Sequence, residues 1–138
     1  MKIDAIKNGI VIDHIEAGKG MEIYHFLKLD SLDCPVAIIK NVSSKKMGKK
    51  DIIKIDADID IDLDVLGYID PDSTVNIIKD GELVKKCHLA APEKLVNVIM
   101  CKNPRCITSV EQDIDQIFKL TDKKNRVYRC AYCESKAK

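Results

Sequence analysis

Two pairs of cysteines constrain the fold of this chain more than any other feature of its sequence. Cys101 and Cys106 form a C-x4-C pair, and Cys130 and Cys133 form a C-x2-C pair after a gap of 23 residues. Each pair can sit on a tight turn with both sulfurs directed at one centre. Structural zinc takes four such ligands in a tetrahedron. The spacing therefore predicts one metal site made by these four thiols, and zinc is the metal that we favour.

Two other chemistries are compatible with the same cysteines. An iron or iron–sulfur site could use the same four ligands. The segment "CAYC" could be a redox pair, although the βαβ setting typical of such pairs is not evident around it. Cys34 and Cys87 lie outside the pattern, and we expect both to be small buried apolar residues.

The metal is expected to have a structural role, because a set of four cysteines leaves no open position for water or substrate. Residues 99–138 contain few large apolar side chains, and a core of that size needs a metal to hold it together. The expected core residues are Ile107, Val110, Ile114, Ile117, Phe118, Leu120, Val127 and Tyr128. We therefore predict a small, β-rich zinc domain at this end of the chain.

The remainder of the chain predicts an α+β fold. Its expected elements are a strand in "NGIVIDHI", a helix in "GMEIYHFLKLD", a strand in "CPVAIIKNV", a loop in "SSKKMGKKD", a strand in "DIIKIDAD", a short helix in "DLDVLGYIDPDS" and a hairpin in "TVNIIKDGELVKKCHLA". The order β-α-β-β-α-β is that of the ferredoxin-like sandwich, a split βαβ arrangement with two helices on an antiparallel sheet. Pro92 divides the chain into two predicted domains, residues 1–92 and 93–138.

The first domain carries lysines that suggest two interpretations. They are Lys45, Lys46, Lys49, Lys50, Lys54, Lys85 and Lys86. They could form an ordinary solvated surface, or part of them could bind phosphate as point charges, with Asp13 accepting hydrogen bonds from ribose hydroxyls. The sequence has no Walker loop, no G-x-G-x-x-G and no nucleophile elbow, and we predict that the chain is not itself an enzyme.

No segment of the sequence predicts export or a membrane span. The segment "MKIDAIKNGI" is charged where a signal peptide has its apolar region, and no stretch approaches the roughly 20 apolar residues of a spanning helix. We expect a cytoplasmic protein that does not associate with membranes, and in such a compartment a disulfide framework is not expected.

Five segments together resemble the regulatory chain of aspartate carbamoyltransferase. They are "AIKNGIVIDHI", "MGKKDIIKI", "TVNIIKDGELVKK", "NVIMCKNPRCIT" and "CAYCE", and they occur in that family's order over nearly the whole chain. The resemblance implies a non-catalytic subunit with an allosteric domain that binds nucleoside triphosphates and a zinc domain that docks on the catalytic chain of pyrimidine biosynthesis. It also implies pairing of regulatory chains through the first domain. In that family CTP typically inhibits, ATP typically activates, and UTP can act together with CTP.

The resemblance assigns roles to individual positions. Those matching nucleotide-binding positions are Ile6, Lys7, Val11, Asp13, His14, Lys50, Lys54, Asn76, Ile78, Leu83 and Lys86. Positions matching the surface that faces the catalytic chain are Asn103, Arg105, Tyr132 and Glu134. Gly81 replaces a tyrosine that helps to form the base pocket in the family, and Arg105 replaces an asparagine at the interface.

A different function is suggested by the segment "KLTDKKNRVYRCAYC". It mixes lysine and arginine with Tyr128 and Tyr132, which could stack on bases in a zinc-ribbon module that binds nucleic acid. Such a module should lose affinity steeply as salt rises, whereas a regulatory chain should bind free nucleotides. We favour the regulatory chain and expect no nucleic-acid partner.

Overall fold

The structure is a computed structural model that describes residues 6–137. The chain divides into two compact units, with the division between Ala90 and Ala91. Each unit has its own sheet, and the two are described in turn. No helix within the described residues is long and apolar enough to cross a membrane.

The first unit is an antiparallel sheet with two helices. Its elements are β1 (Gly9–Glu16), α1 (Gly20–Phe26), a 3-10 turn (Leu29–Ser31), β2 (Val36–Ser44), β3 (Gly48–Ile55), α2 (Leu63–Ile69), β4 (Thr74–Lys79) and β5 (Glu82–His88). The strand order is β2-β3-β1-β4-β5, and every neighbouring pair is antiparallel. The first four strands and the two helices confirm the predicted α+β sandwich, with β5 added at one edge.

The core lies on one face of this sheet. Ile10 and Ile12 of β1 and Ile53 and Ile55 of β3 are all buried, with at most 4% of each side chain exposed. Side chains alternate between the two faces of a strand, so these residues share the face that meets the helices. Ile23 of α1 is also fully buried against this core.

The predicted hairpin is present, and its turn needs the residues that occupy it. Asp80 and Gly81 join β4 to β5, with φ of 53° and 78°. Left-handed φ at both positions is the signature of a type I′ turn, which Asp-Gly favours. This turn therefore fixes the register of β5 against β4.

The predicted loop "SSKKMGKKD" is mostly strand, and that prediction was wrong. β2 continues to Ser44 and β3 begins at Gly48, because Ser43 pairs with Lys49 and Ser44 pairs with Gly48. Pairing between strands outweighed the weak strand propensity of these polar residues.

The second unit contains a three-stranded antiparallel sheet. Its elements are β6 (Lys94–Val96), α3 (Ile107–Val110), β7 (Ile117–Asp122) and β8 (Val127–Cys130), with strand order β6-β7-β8. Leu95, Phe118 and Tyr128 are its buried apolar residues, with 1%, 2% and 3% exposed. The expected core positions Ile107 and Val110 are instead 47% and 71% exposed.

The two cysteines outside the predicted metal set were expected to be buried. Cys34 and Cys87 are only half-buried, so that expectation was wrong. Both are free thiols, like the other four cysteines of the chain.

Candidate functional site

The face of the first sheet opposite the core carries a row of four paired residues, three of them polar, that spans four strands. Lys54 of β3 pairs with Val11 of β1, Val11 pairs with Asn76 of β4, and Asn76 pairs with Lys86 of β5. Directly paired residues point to the same side of a sheet. We call the face that carries this row the open face, and it brings together four of the residues selected from the sequence.

Asp13 lies two residues beyond Val11 on the same face of β1. Its carboxylate accepts a hydrogen bond from the Nζ of Lys50 at 2.9 Å and one from the backbone N–H of His14 at 2.6 Å. Partial burial pushes the pKa of Asp13 upward, but these two donors outweigh burial, and the net pKa lies below its usual value. Asp13 is therefore an anion held in a fixed place on the open face.

His14 occupies the strand irregularity next to Asp13. Its φ is 57°, and its Nδ1 lies 3.1 Å from Oγ1 of Thr74. Thr74 is only 7% exposed and pairs with Asp13 across the sheet. Thr74 was not selected from the sequence, because a lone threonine at the start of a strand carries no signal of its own.

A more apolar group lies at the opposite end of the open face, near the turn that joins β4 to β5. Ile78 pairs with both Gly9 and Leu83. The backbone carbonyl of Lys7 accepts a hydrogen bond from the Gly81 N–H at 2.9 Å, which holds the chain before β1 against that turn. Ile6 is 9% exposed, whereas Leu83 is 57% exposed.

One polar atom on the open face is left without a partner. Oδ1 of Asn76 is buried and makes no hydrogen bond to any described residue. A buried polar atom without a partner costs free energy, so such an atom often marks a place that a ligand or water completes. The atom lies in the middle of the row, between Val11 and Lys86.

The four cysteines selected from the sequence converge in the second unit. All four sulfurs lie within 4.8 Å of one another. The Sγ atoms of Cys101 and Cys133 are 3.5 Å apart, and those of Cys106 and Cys130 are 3.7 Å apart. A tetrahedron with Zn–S bonds of about 2.3 Å has S–S edges of about 3.8 Å. The donor set and its spacing therefore fit a tetrahedral metal such as zinc.

The protonation of these thiols is divided unevenly. Hydrogen bonds from Ser135 lower the pKa of Cys133 to about 6, whereas burial raises the pKa of Cys101 to about 12. A thiolate at one sulfur beside a thiol at its neighbour is the arrangement expected for thiols in contact.

Backbone turns hold the two pairs of sulfurs. The Cys106 N–H donates to the carbonyl of Asn103 at 3.1 Å, and the Glu134 N–H donates to the carbonyl of Cys130 at 2.9 Å. Glu134 has a left-handed φ of 63°. These tight turns bring each cysteine toward its partner in the pair.

The four residues assigned to the catalytic-chain surface lie on these turns. Asn103 is half-buried and has a local role, because its Oδ1 accepts a hydrogen bond from the Arg105 N–H at 3.0 Å. Arg105, Tyr132 and Glu134 are exposed. The structure therefore leaves three of the four available to a partner.

An exposed apolar surface near the metal site was missed from the sequence. It consists of Met100, Ile107 and Val110, which are 75%, 47% and 71% exposed, and it borders a cleft of about 560 Å³. Ile107 and Val110 were assigned to a core because the sequence alone does not reveal which face of a four-residue helix is covered.

The stacking platform expected of a nucleic-acid module is incomplete. Tyr128 is 3% exposed, and its hydroxyl donates to the carbonyl of Pro92 at 2.6 Å. Tyr132 alone of the two tyrosines is exposed, at 44%. The structure therefore gives little support to base stacking on this unit.

Comparison with known proteins gives a consistent result across the chain. A family model described as the aspartate carbamoyltransferase regulatory chain, allosteric domain, matches residues 1–90, and one described as the metal binding domain of the same chain matches residues 93–138. Two relatives named aspartate carbamoyltransferase regulatory chain are each 52% identical, one from Clostridium acetobutylicum over 97% of this chain and 92% of its own length, and one from Clostridium tetani over 97% and 94%. A third, from Bifidobacterium longum, is 45% identical over 100% of this chain and 99% of its own length.

Both units are thus matched in order, and the four sulfurs lie within the part matched by the metal binding domain. The chain belongs to the family of aspartate carbamoyltransferase regulatory chains, which are non-catalytic subunits with an allosteric domain followed by a metal-binding domain.

Proposed function

We propose that this chain binds CTP and ATP on the open face of its first unit and alters the activity of the catalytic chains of aspartate carbamoyltransferase in pyrimidine biosynthesis. The observation that carries the proposal is the grouping of Lys50, Lys54 and Lys86 around Asp13 on one face of the sheet. A triphosphate needs several cations, and a ribose needs a fixed acceptor for its hydroxyl groups.

The two ends of the open face suggest how a nucleotide would lie. The apolar group of Ile6, Ile78 and Leu83 suits the base, and Lys50 at the other end suits the phosphates. Asp13 beside Lys50 can accept hydrogen bonds from the ribose hydroxyl groups. Asn76 lies between these ends, and its unpartnered Oδ1 can accept a hydrogen bond from a ribose hydroxyl or a base amino group. Gly81, whose added Cβ would meet no atom within 4 Å, leaves the base end more open than a tyrosine would.

A change in the activity of another chain requires unequal affinity for two states of the assembly. A nucleotide that binds both states equally shifts neither, however tightly it binds. Bases of different size would set Asp13 and the lysines at different separations, and a coupling of about 1–3 kcal/mol between sites would be ordinary. CTP as inhibitor, ATP as activator and UTP acting with CTP are the effects that we propose by likeness to the family.

The second unit is proposed to hold one structural zinc ion per chain. Cys101, Cys106, Cys130 and Cys133 would bind it and leave no open position, so the metal would stabilise the unit rather than react. Asn103, Arg105, Tyr132 and Glu134 would then present a fixed surface to the catalytic chain. We also propose that two regulatory chains pair with each other. A cytoplasmic location, where the six free cysteines stay reduced, is the last part of the proposal.

Calorimetric titration of CTP and ATP into purified wild-type protein tests the nucleotide site. Lys86→Ala should weaken both nucleotides at least tenfold, because it removes a cation from the open face. Lys85→Ala is the matched control, since Lys85 is the next residue on β5, pairs with Ile77 and points to the other face. Equal affinities for wild type and Lys86→Ala would refute the assigned site.

Reconstitution with the catalytic chain tests the remainder. The wild-type chain should form a complex with it, and the activity of that complex should respond to CTP or ATP. Tyr132→Ala should weaken assembly while nucleotide binding stays unchanged. A complex whose activity is indifferent to both nucleotides would contradict the regulatory proposal.

A further inference from the structure

Asp51 is the most deeply buried carboxylate among residues 6–90 of the first unit. It lies in β3 between Lys50 and Ile52, and 0% of it is exposed. Its Oδ2 accepts hydrogen bonds from the backbone N–H groups of Gly18 and Gly20 at 3.0 and 3.1 Å, and its Oδ1 accepts one from Asn41 at 3.0 Å. A buried carboxyl group is tolerated only when hydrogen-bond donors satisfy its oxygens, and three backbone N–H groups do so here.

These three N–H groups occur where strand pairing is interrupted. In β2 the register shifts between Ile39 and Val42, which leaves Asn41 in a bulge with a left-handed φ of 60°. Gly18 lies in the turn that follows β1, and Gly20 is the first residue of α1. Asp51 thus supplies the acceptors that a regular ladder would otherwise provide.

The same interruptions flank Lys50 on both sides. Lys50 pairs with Glu16 at the end of β1 and with Val42 just after the β2 bulge. Asp51 accepts hydrogen bonds from Gly18, two residues after Glu16, and from Asn41, the residue before Val42. The side chain of Lys50 points to the open face and reaches Asp13 at 2.9 Å.

We propose that Asp51 is a positioning residue for the effector site, acting through Lys50 and Asp13. Its hydrogen bonds hold the β2 bulge and the segment after β1 in place on either side of β3. The backbone that carries Lys50 is thereby positioned so that its side chain reaches Asp13 and the phosphates. This inference rests on the proposed function, because it concerns the affinity of the same nucleotide site. Asp51 itself touches no ligand, since its side chain lies on the buried face of the sheet.

The surroundings of position 51 suit a carboxylate better than any other side chain. All three neighbours are donors, so an asparagine would place its NH₂ group against at least one N–H and lose that hydrogen bond. The glycine at position 20 is required as well, because an added Cβ would lie 2.8 Å from Oδ2 of Asp51. Asp51→Asn is therefore the smallest change that disturbs this arrangement.

The test is the affinity of CTP and ATP for Asp51→Asn, measured by calorimetry at a temperature where circular dichroism shows the variant to be folded. We expect a loss of at least fivefold. Leu66→Ala is the control, because Leu66 is fully buried in α2 and its truncation destabilises the same unit away from the bulges. An equal loss of affinity in the control would assign the effect to general destabilisation and overturn the inference.

A double variant separates positioning from a general structural role. If Asp51 acts through Lys50, then Asp51→Asn combined with Lys50→Ala should bind no more weakly than Lys50→Ala alone. Losses that multiply in the double variant would show that Asp51 acts independently of Lys50, and the inference would be wrong.

Hydrogen exchange in the wild-type protein provides a test that needs no variant. Because coupling is reciprocal, saturation with CTP should slow exchange of the Gly18, Gly20 and Asn41 amides at least threefold more than that of the Leu66 amide in α2. No difference between these amides would refute the coupling.

Failure of the proposed function and failure of this inference give different results. If the wild type binds neither CTP nor ATP, the proposed function itself fails. If the wild type binds them and Asp51→Asn binds them equally well, only the role of Asp51 fails.

Discussion

Removal of the metal should unfold the second unit and leave the first unit folded. Among its described residues 91–137, the second unit buries three large side chains besides its cysteines, namely Leu95, Phe118 and Tyr128. The first unit has a five-stranded sheet and a separate core of isoleucines. The two units therefore differ in how far each depends on a bound ion.

The expected size of the effect follows from the geometry of the sulfurs. Two of the six S–S distances are 3.5 and 3.7 Å, close to the tetrahedral edge, and all four sulfurs lie within 4.8 Å of one another, so only small shifts are needed for binding. Structural zinc contributes about 10–16 kcal/mol of apparent binding free energy in small zinc domains at neutral pH. Whole domains are stable by only about 5–15 kcal/mol, so the loss of zinc should exceed the stability of the second unit.

Amide spectra by two-dimensional NMR would measure this prediction residue by residue. After chelation, the resonances of residues 91–138 should collapse to unfolded positions while those of the first unit keep their dispersion. Restored zinc should return the spectrum, with one ion bound per chain. A metal-free chain whose second unit keeps dispersed resonances would refute the structural role of the ion.

Substitution of single cysteines supplies a matched control for the chelator. Cys133→Ser removes one sulfur from the cluster and should lower zinc affinity by at least a hundredfold. Cys87→Ser removes a half-buried free thiol from β5, outside the cluster, and should leave zinc content unchanged. Equal zinc affinity in the two variants would mean that the ion is held elsewhere.

Three further predictions concern the free energy of unfolding. The Asp62 carboxylate caps α2 by accepting hydrogen bonds from the Asp64 and Val65 amides at 3.0 and 3.3 Å. Asp62→Ala should therefore lower the free energy of unfolding in urea by about 1 kcal/mol. An unchanged unfolding midpoint would contradict this. Asp13→Asn should lower stability at pH 7, because a carboxylate with a lowered folded-state pKa stabilises the fold while it is ionised. The deficit should begin to shrink as the pH falls below about 4 and vanish once the pH is below the lowered folded-state pKa. A deficit independent of pH would argue against the ion pair. Lys119 lies between two cations on neighbouring strands, Lys94 and Arg129. Lys119→Glu should therefore stabilise the second unit by less than about 1 kcal/mol in thermal unfolding at low salt. A loss of stability would contradict this.

Local signals in the sequence predicted the order of elements well. Asp80-Gly81 predicted a hairpin because both positions need left-handed φ, and the alternating isoleucines predicted β1. The cysteine spacing predicted that four distant thiols would converge, as their sulfurs do. The hairpin and strand predictions succeeded because each depends on residues that are neighbours in sequence. The cysteine prediction succeeded because one metal ion takes four ligands, which two short-spaced pairs supply.

Features that depend on pairing between strands could not be predicted in the same way. The extension of β2 to Ser44 arises from its ladder with β3 rather than from its own residues. Asp51 looks like one more polar residue in an alternating strand, and only the bulge of β2 and the turn after β1 reveal why a carboxylate is buried there. The exposure of Ile107 and Val110 could not be predicted either, because a four-residue helix is too short for its sequence to show which face is buried.

The irregularity in β1 connects the core of the first unit to its open face. Ile10, Ile12 and Ile15 are all buried, yet strict alternation would send position 15 to the other face. The register shift between Ile12 and Ile15 adds one residue, so that Ile15 returns to the core while the intervening Asp13 and His14 leave it. The segment "IVIDHI" therefore buries three isoleucines in the core and, in the same six residues, presents an anion and an imidazole to the face where we place the nucleotide.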